Sequence, residues 1–356
     1  RCVGADDLTL SLFENQYPVQ PMGVSYNSYL ILDEKIAVMD SVDARAADEW
    51  LAKLAHELNG RSPDYLVISH MEPDHSGSIL RLAEKYQEMK LVGNTKTFTM
   101  LRQFFGAKAP TDDRLLEVGE GETLPLGAHT LHFMLAPMVH WPEVMVAYEE
   151  TEKLLFSADA FGRFGALSRT AGAPWAPQAR RYYYNIVGKY GAQVQALLKK
   201  AAALEIETIC PLHGPVLTGE ALGEALRLYD LWSRWQSESP DDILLAHASI
   251  HGNTARAAEL FKQKLEAKGA RVTLCDLTTT EVSYAVANAF CCGKLVLACS
   301  TYDGGLFPPM EEFLSHLQAK GFRDRSVGLM ENGSWAPAAA RLMRAKLEEM
   351  KDLRVC

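Results

Sequence analysis

The 356-residue chain has no CxxC pair, no internal repeat and no low-complexity tract, and no apolar run approaches the roughly 20 residues that a membrane-spanning helix needs. Cysteine is scarce: seven residues, at positions 2, 210, 275, 291, 292, 299 and 356. An odd number without CxxC spacing argues against both a disulfide framework and a structural Cys₄ zinc site. Most of the thiols read instead as small buried hydrophobes in a reducing cytoplasm. Clustered basic residues are lacking too. With 36 Lys and Arg against 45 Asp and Glu the net charge is −9, which argues against a nucleic-acid surface. No signal-peptide pattern is visible, and the chain opens on Arg1-Cys2-Val3 without an initiator Met, so its natural start is expected upstream.

What is present suits two globular domains of ordinary size. Hydrophobic residues make up 48% and charged residues 23%, an ordinary balance for a folded soluble chain. The first part alternates strand-like runs (Tyr29 to Leu32, Lys35 to Met39, Tyr65 to Ser69, Val144 to Tyr148, Lys153 to Ser157) with stretches whose apolar residues recur at helical spacing, such as Ala44 to Leu58, Ser76 to Met89 and Gln178 to Leu204. A helix is expected from about Gly219 to Trp235. The polar segment Gln236 to Asp242, which contains Pro240, reads as a linker, placing the domain boundary at 238/239. Beyond it, Ile243 to Ala248, Arg271 to Leu274, Lys294 to Ala298 and Ser326 to Met330 are strand-like with helical stretches between. That alternation implies a doubly wound parallel sheet over 239–356. Leu353 to Cys356 reads as its last strand. A doubly wound sheet of this kind is expected to continue with a further helix after that strand, which the given sequence does not reach.

The densest chemistry lies in His70-Met-Glu72-Pro-Asp74-His75, where four potential metal ligands follow an apolar strand. A loop at a strand's end can turn all four into one cavity, which a continuous helix cannot do. His140, Asp159 and His213 each follow an apolar strand as well, where an unpaired polar group would be costly to bury. Seven ligands exceed what one zinc takes, and two metals sharing a carboxylate account for them, with Asp159 the natural bridge. Three carboxylates and no thiolate favour a harder, redox-capable ion such as iron. His56, His132, His247 and His316 lie outside this set and read as structural.

In the second half, Ala248-Ser-Ile-His-Gly-Asn-Thr254 joins a strand to a helix. Its small and hydroxylated residues leave backbone N–H groups and hydroxyls free for a phosphate at the helix N-terminus. The segment resembles the flavodoxin phosphate loop, which implies Ser249, His251 through its backbone, Gly252, Asn253 and Thr254 as the phosphate-holding residues. Ser300-Thr301-Tyr302-Asp303-Gly304 and Asn332-Gly333-Ser334-Trp335 follow later strands, and in a doubly wound sheet such loops converge on the cofactor. Neither fits the dinucleotide GxGxxG pattern, and FMN, with one phosphate, is favoured over NAD.

The spacing at residue 70 resembles the metallo-β-lactamase superfamily, whose hydrolases carry HxHxDH there. With Glu72 in place of the second His, the pattern looks like the flavo-diiron protein family, also called A-type flavoproteins. Gly23 to Ile31, Pro137 to Glu143, Leu155 to Gly162 and Ala179 to Val187 also look like that family's signatures. The resemblance implies an N-terminal αββα sandwich over 1–238 and a flavodoxin-like FMN domain over 239–356. By the same match, His70, Glu72, His140 and Asp159 would hold one iron, and Asp74, His75, Asp159 and His213 the other. Ser249 to Thr254 resemble the flavodoxin phosphate loop, with Tyr302 and Trp335 placed to stack on the flavin ring. The implied activity is reduction of O₂ to water, of NO to N₂O, or both. Electrons would come from a donor such as rubredoxin or a flavin reductase, and a head-to-tail homodimer or a dimer of dimers would bring the FMN of one subunit to the irons of another. One of Tyr26 and Tyr182 to Tyr184 could supply a proton. The alternatives are a zinc hydrolase with a flavodoxin-like appendage, and an electron-transfer or gas-sensing module without turnover.

Overall fold

Short apolar runs in the first part of the chain pair into two sheets. One has the strand order Tyr29–Ile31, Ala37–Met39, Tyr65–Val67, Lys90–Gly93 and Leu115–Glu117. The other runs Thr123–Pro125, Thr130–Leu135, Met145–Glu149, Leu154–Phe156, Thr208–Cys210 and Leu217–Thr218. Side chains alternate across a strand, so Leu131 and Phe133, Met145 and Ala147 point the same way. They form one core with Tyr29, Ala37, Met39, Val67 and Val92 of the facing sheet. This is a sheet-on-sheet sandwich. Helix Ala47–Leu58 buries Trp50, Leu54 and Leu58, the spacing of one helical face.

A computed structural model describes all of residues 1–356 and divides them into two units: Arg1–Tyr182 with Ala192–Tyr229, and Tyr183–Gly191 with Asp230–Cys356. In the second unit five parallel strands run in the order Val272–Asp276, Ser239–Ala248, Cys292–Tyr302, Ser326–Asn332, Arg354–Val355. The strand that leads into the phosphate loop therefore lies one in from the edge, the flavodoxin-like order. Leu245, Ala258 and Ala298 form a core there with Phe261, Val272 and Val296. No helix is long and apolar enough to cross a membrane.

Three segments depart from the sequence reading. The polar stretch expected to be linker up to Asp242 enters the sheet from Ser239, with a register shift between Ser239 and Ile243. Pro240 is tolerated because that irregularity removes the need for its missing N–H, and because Gly293 lets the neighbouring strand close on it: a Cβ there would fall 2.1 Å from the Pro240 carbonyl oxygen. The helix expected over 76–89 is instead a short turn, Pro73–Ser76, and a helix Ile79–Lys85. Gly77 sits between them, where a Cβ would be 2.7 Å from the Pro73 carbonyl oxygen. The 178–204 stretch is broken as well. Ala176–Tyr182 is α-helical, Tyr183–Val187 is a π-turn, and a regular helix resumes at Gly191. Tyr182 packs on Phe164 in the first unit, whereas Tyr184 stacks on Phe290 at 4.0 Å in the second.

Candidate metal centre and flavin site

Asp40, on the strand-end loop beside Tyr65–Val67, shapes the start of the metal loop. Its buried carboxylate accepts the backbone N–H of Ser69 at 2.7 Å and of His70 at 3.3 Å. Glu72 then opens the short turn with Pro73 at its first position, which swings Asp74 and His75 inward. The Ser76 hydroxyl donates to the Met71 carbonyl at 2.8 Å and ties the loop to itself. On the opposite strand ends, the Asn27 amide donates to the carbonyls of Pro211 and Gly214, both at 2.8 Å. That contact holds the loop carrying His213, whose Nδ1 donates to the Ser25 carbonyl at 2.7 Å.

These elements bring all seven residues singled out from the sequence into two adjoining groups, and all but Glu72 are buried. In one, His140 Nε2 is 3.1 Å from Glu72 Oε2 and 3.0 Å from Asp159 Oδ2, while His70 Nε2 is 3.3 and 3.5 Å from the same two oxygens. In the other, His75 Nε2 lies 3.3 Å from Asp74 Oδ2 and 3.2 Å from Asp159 Oδ1, and His213 Nε2 lies 3.2 and 3.7 Å from them. Asp159 thus turns one oxygen to each group.

The residues fit a pair of cations. His75 and His213 face each other with their Nε2 atoms 3.1 Å apart, and both Asp74 oxygens and Asp159 Oδ1 are buried without a hydrogen-bond donor. Burying so many lone pairs is costly unless positive charge sits among them. The titration behaviour has the same origin. Burial disfavours a charged His140, but hydrogen bonds to Asp159 and Glu72 outweigh it and lift the ring to about 9. His70 is pushed well up in the same way, by Asp159 and then by Glu143 and Glu72.

A cleft of about 650 Å³ opens at the edge of the centre, lined by Phe13, Glu14, Tyr26, Arg45, Glu72 and Asp74 among others. Tyr26 and Tyr182 both pack near His213, with ring centroids 6.0 and 5.5 Å away. The Tyr182 hydroxyl is buried without a hydrogen-bond partner, and the Tyr26 hydroxyl accepts from Arg45 at 3.3 Å. Sequence reasoning missed three carboxylates here: Asp40, Glu143 and Glu14. Glu14 follows the strand Leu12–Phe13 with φ of 50° and is raised to about 7, by burial and then by Glu72. Its one sequence signal is the Glu14-Asn15 pair, both in the left-handed conformation, at a hairpin tip.

In the second unit a cavity of about 90 Å³ is lined by Ser249, His251, Asn253, Thr254, Ser300, Thr301, Asn332, Gly333 and Ser334. The Thr254 and Ser300 hydroxyls are 2.7 Å apart, and the Asn332 amide donates to Thr254 Oγ1 at 3.4 Å. Ser249 Oγ is buried with no partner, and Gly252, at φ 83°, leaves the first turn of Asn253–Glu266 without a side-chain cap. An orphaned hydroxyl beside a free helix N-terminus fits a bound phosphate. Gly252, Tyr302, Asp303, Gly304 and Trp335 do not line this cavity. Tyr302 is 44% and Trp335 83% exposed, on the loops that do. Of the other histidines, His132 pairs with Glu150 at 2.8 Å on the surface, and His247 is buried 3.8 Å from Asp276.

Residues 24–214, which carry all seven candidate metal ligands, match a family model described as ODP family beta lactamase. The chain belongs to that family. The rubredoxin-oxygen oxidoreductase of Megalodesulfovibrio gigas is 27% identical over 98% of this chain and 87% of its own length. The nitric oxide reductase of Moorella thermoacetica is 26% identical over 98% and 88%. Among solved structures, the flavodiiron protein from Giardia intestinalis aligns with a TM-score of 0.90 at 26% identity, covering 99% of this chain and 89% of that one. Rubredoxin oxygen:oxidoreductase from Desulfovibrio gigas also gives 0.90, at 27% identity, with 99% and 88% covered. The resemblance to flavo-diiron proteins drawn from the sequence is borne out, as is the pairing of a β-lactamase-like domain with a flavodoxin-like one.

Proposed function

We propose that the chain is a flavo-diiron oxidoreductase that reduces O₂ to water, NO to N₂O, or both, with electrons delivered through FMN. The observation that carries this reading is the division of Asp159 between two ligand groups, one with Glu72 and one with Asp74. A single hydrolytic zinc uses three or four ligands and would leave the rest of these buried groups uncompensated. The names and full-length alignment of the relatives support the same reading.

Bound iron would supply single electrons and an open coordination position, and bound FMN up to two electrons. His70, Glu72, His140 and Asp159 would hold one ion, and Asp74, His75, Asp159 and His213 the other. Around that centre the chain does three things. Its carboxylates balance the charge of the ions. Phe13, at the cleft, and the buried Tyr182 pack on His213 and hold its ring in place. The Tyr26 hydroxyl, held by Arg45 at the cleft, and the Tyr182 hydroxyl, buried near Asp159 and Asp74, would each keep a proton available to the centre. Ser249, Thr254, Ser300 and Asn332 would hold the FMN phosphate, with Tyr302 and Trp335 on the ring. The proposed donor is rubredoxin or a flavin reductase in the cytoplasm, and the proposed assembly a head-to-tail homodimer or a pair of such dimers.

Anaerobic purification followed by metal and flavin analysis tests the assignment, with O₂ and NO consumption measured in parallel from one reductant. Iron, FMN and consumption of at least one gas are expected. Zinc without iron would overturn the metal assignment, and loaded protein that consumes neither gas would overturn the enzymatic one.

A further inference from the structure

His70 differs from the other ligands of the centre in what stands behind it. Its Nε2 faces Glu72 and Asp159, so Nδ1 carries the proton, and it donates to Glu143 Oε1 at 2.7 Å. The same oxygen accepts the Met71 N–H at 2.9 Å, which pins the carboxylate to the metal loop. Glu143 is in turn held through its backbone. The Asn94 side-chain amide donates to the Glu143 carbonyl at 2.6 Å, while Asn94 Oδ1 caps the helix Thr95–Phe105 by accepting from Lys96 and Thr97. Glu143 is 1% exposed, and its second oxygen has no hydrogen-bond partner.

In the second group no histidine donates to a carboxylate behind it; the buried Asp40 carboxylate, which His75 stabilises electrostatically, accepts from the Ser69 and His70 N–H groups instead. His213 Nδ1 donates to a neutral carbonyl, that of Ser25, and His75 Nδ1 is buried without a partner. A carboxylate behind an imidazole fixes its tautomer and raises its basicity toward a metal, and losing one typically costs about 10–100-fold in metal affinity.

We propose that Glu143 is a positioning residue that makes the metal position of His70, Glu72 and His140 the tighter and lower-potential of the two. The proposal rests on the two-metal reading. It concerns how the two positions differ, which the ligand set alone leaves open.

Anaerobic titration of the metal-free protein with Co²⁺, followed by visible absorption, tests it. Wild-type protein should take up two ions in separable steps. Glu143→Gln keeps an oxygen for the His70 and Met71 N–H groups but removes the charge. It should weaken the tighter step by about 10–100-fold and leave the other in place. Redox titration of the iron-loaded variant, monitored by electron paramagnetic resonance, should show the gap between the two one-electron steps narrowing. Glu143→Ala should be at least as severe, and if it does not fold, the Gln variant decides. Two unchanged steps in Glu143→Gln, or equal weakening of both, would overturn the proposal while leaving the two-metal reading standing. Wild-type protein that binds only one Co²⁺ would overturn both.

Discussion

At the scale of single residues the centre depends most on Asp159, because no other side chain serves both groups. Asp159→Asn keeps the shape but puts an amide where two oxygens are needed. Each ligand lost should cost at least the roughly 10–100-fold that an outer partner costs, so the affinity for both ions, measured by metal titration of metal-free protein, should fall about tenfold or more together. A variant that keeps one ion would remove Asp159 from its bridging place. The same cluster predicts a pH effect confined to metal-free protein. His140 is lifted to about 9 in the folded chain, against roughly 6.5 for an exposed ring. Stability from its protonation is therefore fully present below about pH 6.5 and lost as the pH rises through about 9. Urea unfolding of chelator-treated protein should show a midpoint falling across that window. Metal-loaded protein should not follow it there, since the ion replaces the proton.

The same scale shows why some ligands were legible and their supports were not. His70, Glu72, Asp74 and His75 crowd one loop, and crowding of metal-binding types is a sequence property. His140, Asp159 and His213 could be picked out because each follows an apolar strand. Glu143 and Asp40 act on His70 from 73 and 30 residues away, at positions where an acidic residue reads as an ordinary loop charge. Only packing reveals that they are buried.

At the scale of elements, the junction between strand Ser239–Ala248 and helix Asn253–Glu266 is the part of the proposed flavin site that can be tested alone. A hydrogen bond to a charged group is worth about 1.5–3 kcal/mol, so Ser249→Ala or Thr254→Ala should weaken FMN binding about tenfold or more. Quenching of flavin fluorescence on titration into metal-free protein reads this out, and wild-type affinity in both variants would move the phosphate elsewhere. Elements also account for the misread boundaries. Pro240 and its acidic neighbours look like linker, but a strand start tolerates them where a register shift and Gly293 make room. The aromatic run Tyr182-Tyr183-Tyr184 looks like continuous helix, but the backbone passes from α-helix at Tyr182 into a π-turn over Tyr183–Val187, a change that side-chain periodicity does not signal.

At the scale of the whole molecule, the proposed metal ligands and the proposed flavin loops lie in separate units of one chain, the former in Arg1–Tyr182 with Ala192–Tyr229 and the latter in the other unit. The proposed head-to-tail dimer makes each electron path run between subunits, and that has a consequence no single-chain path shares. Take one variant with no metal centre, Asp159→Asn, and one whose flavin loop is disabled, Ser249→Ala with Thr254→Ala. Each alone should be inactive, or nearly so for the flavin variant at FMN concentrations below its weakened affinity. Mixed and allowed to exchange subunits, half of the dimers become hybrids, and each hybrid pairs the flavin of one subunit with the metals of the other along one of its two paths. Activity should then recover to about a quarter of the wild-type value, since two-fold symmetry makes the two paths equivalent. If electrons passed from flavin to metals within one chain, no hybrid could contain a complete path. Mixing would restore nothing, and the head-to-tail assembly would have to be abandoned.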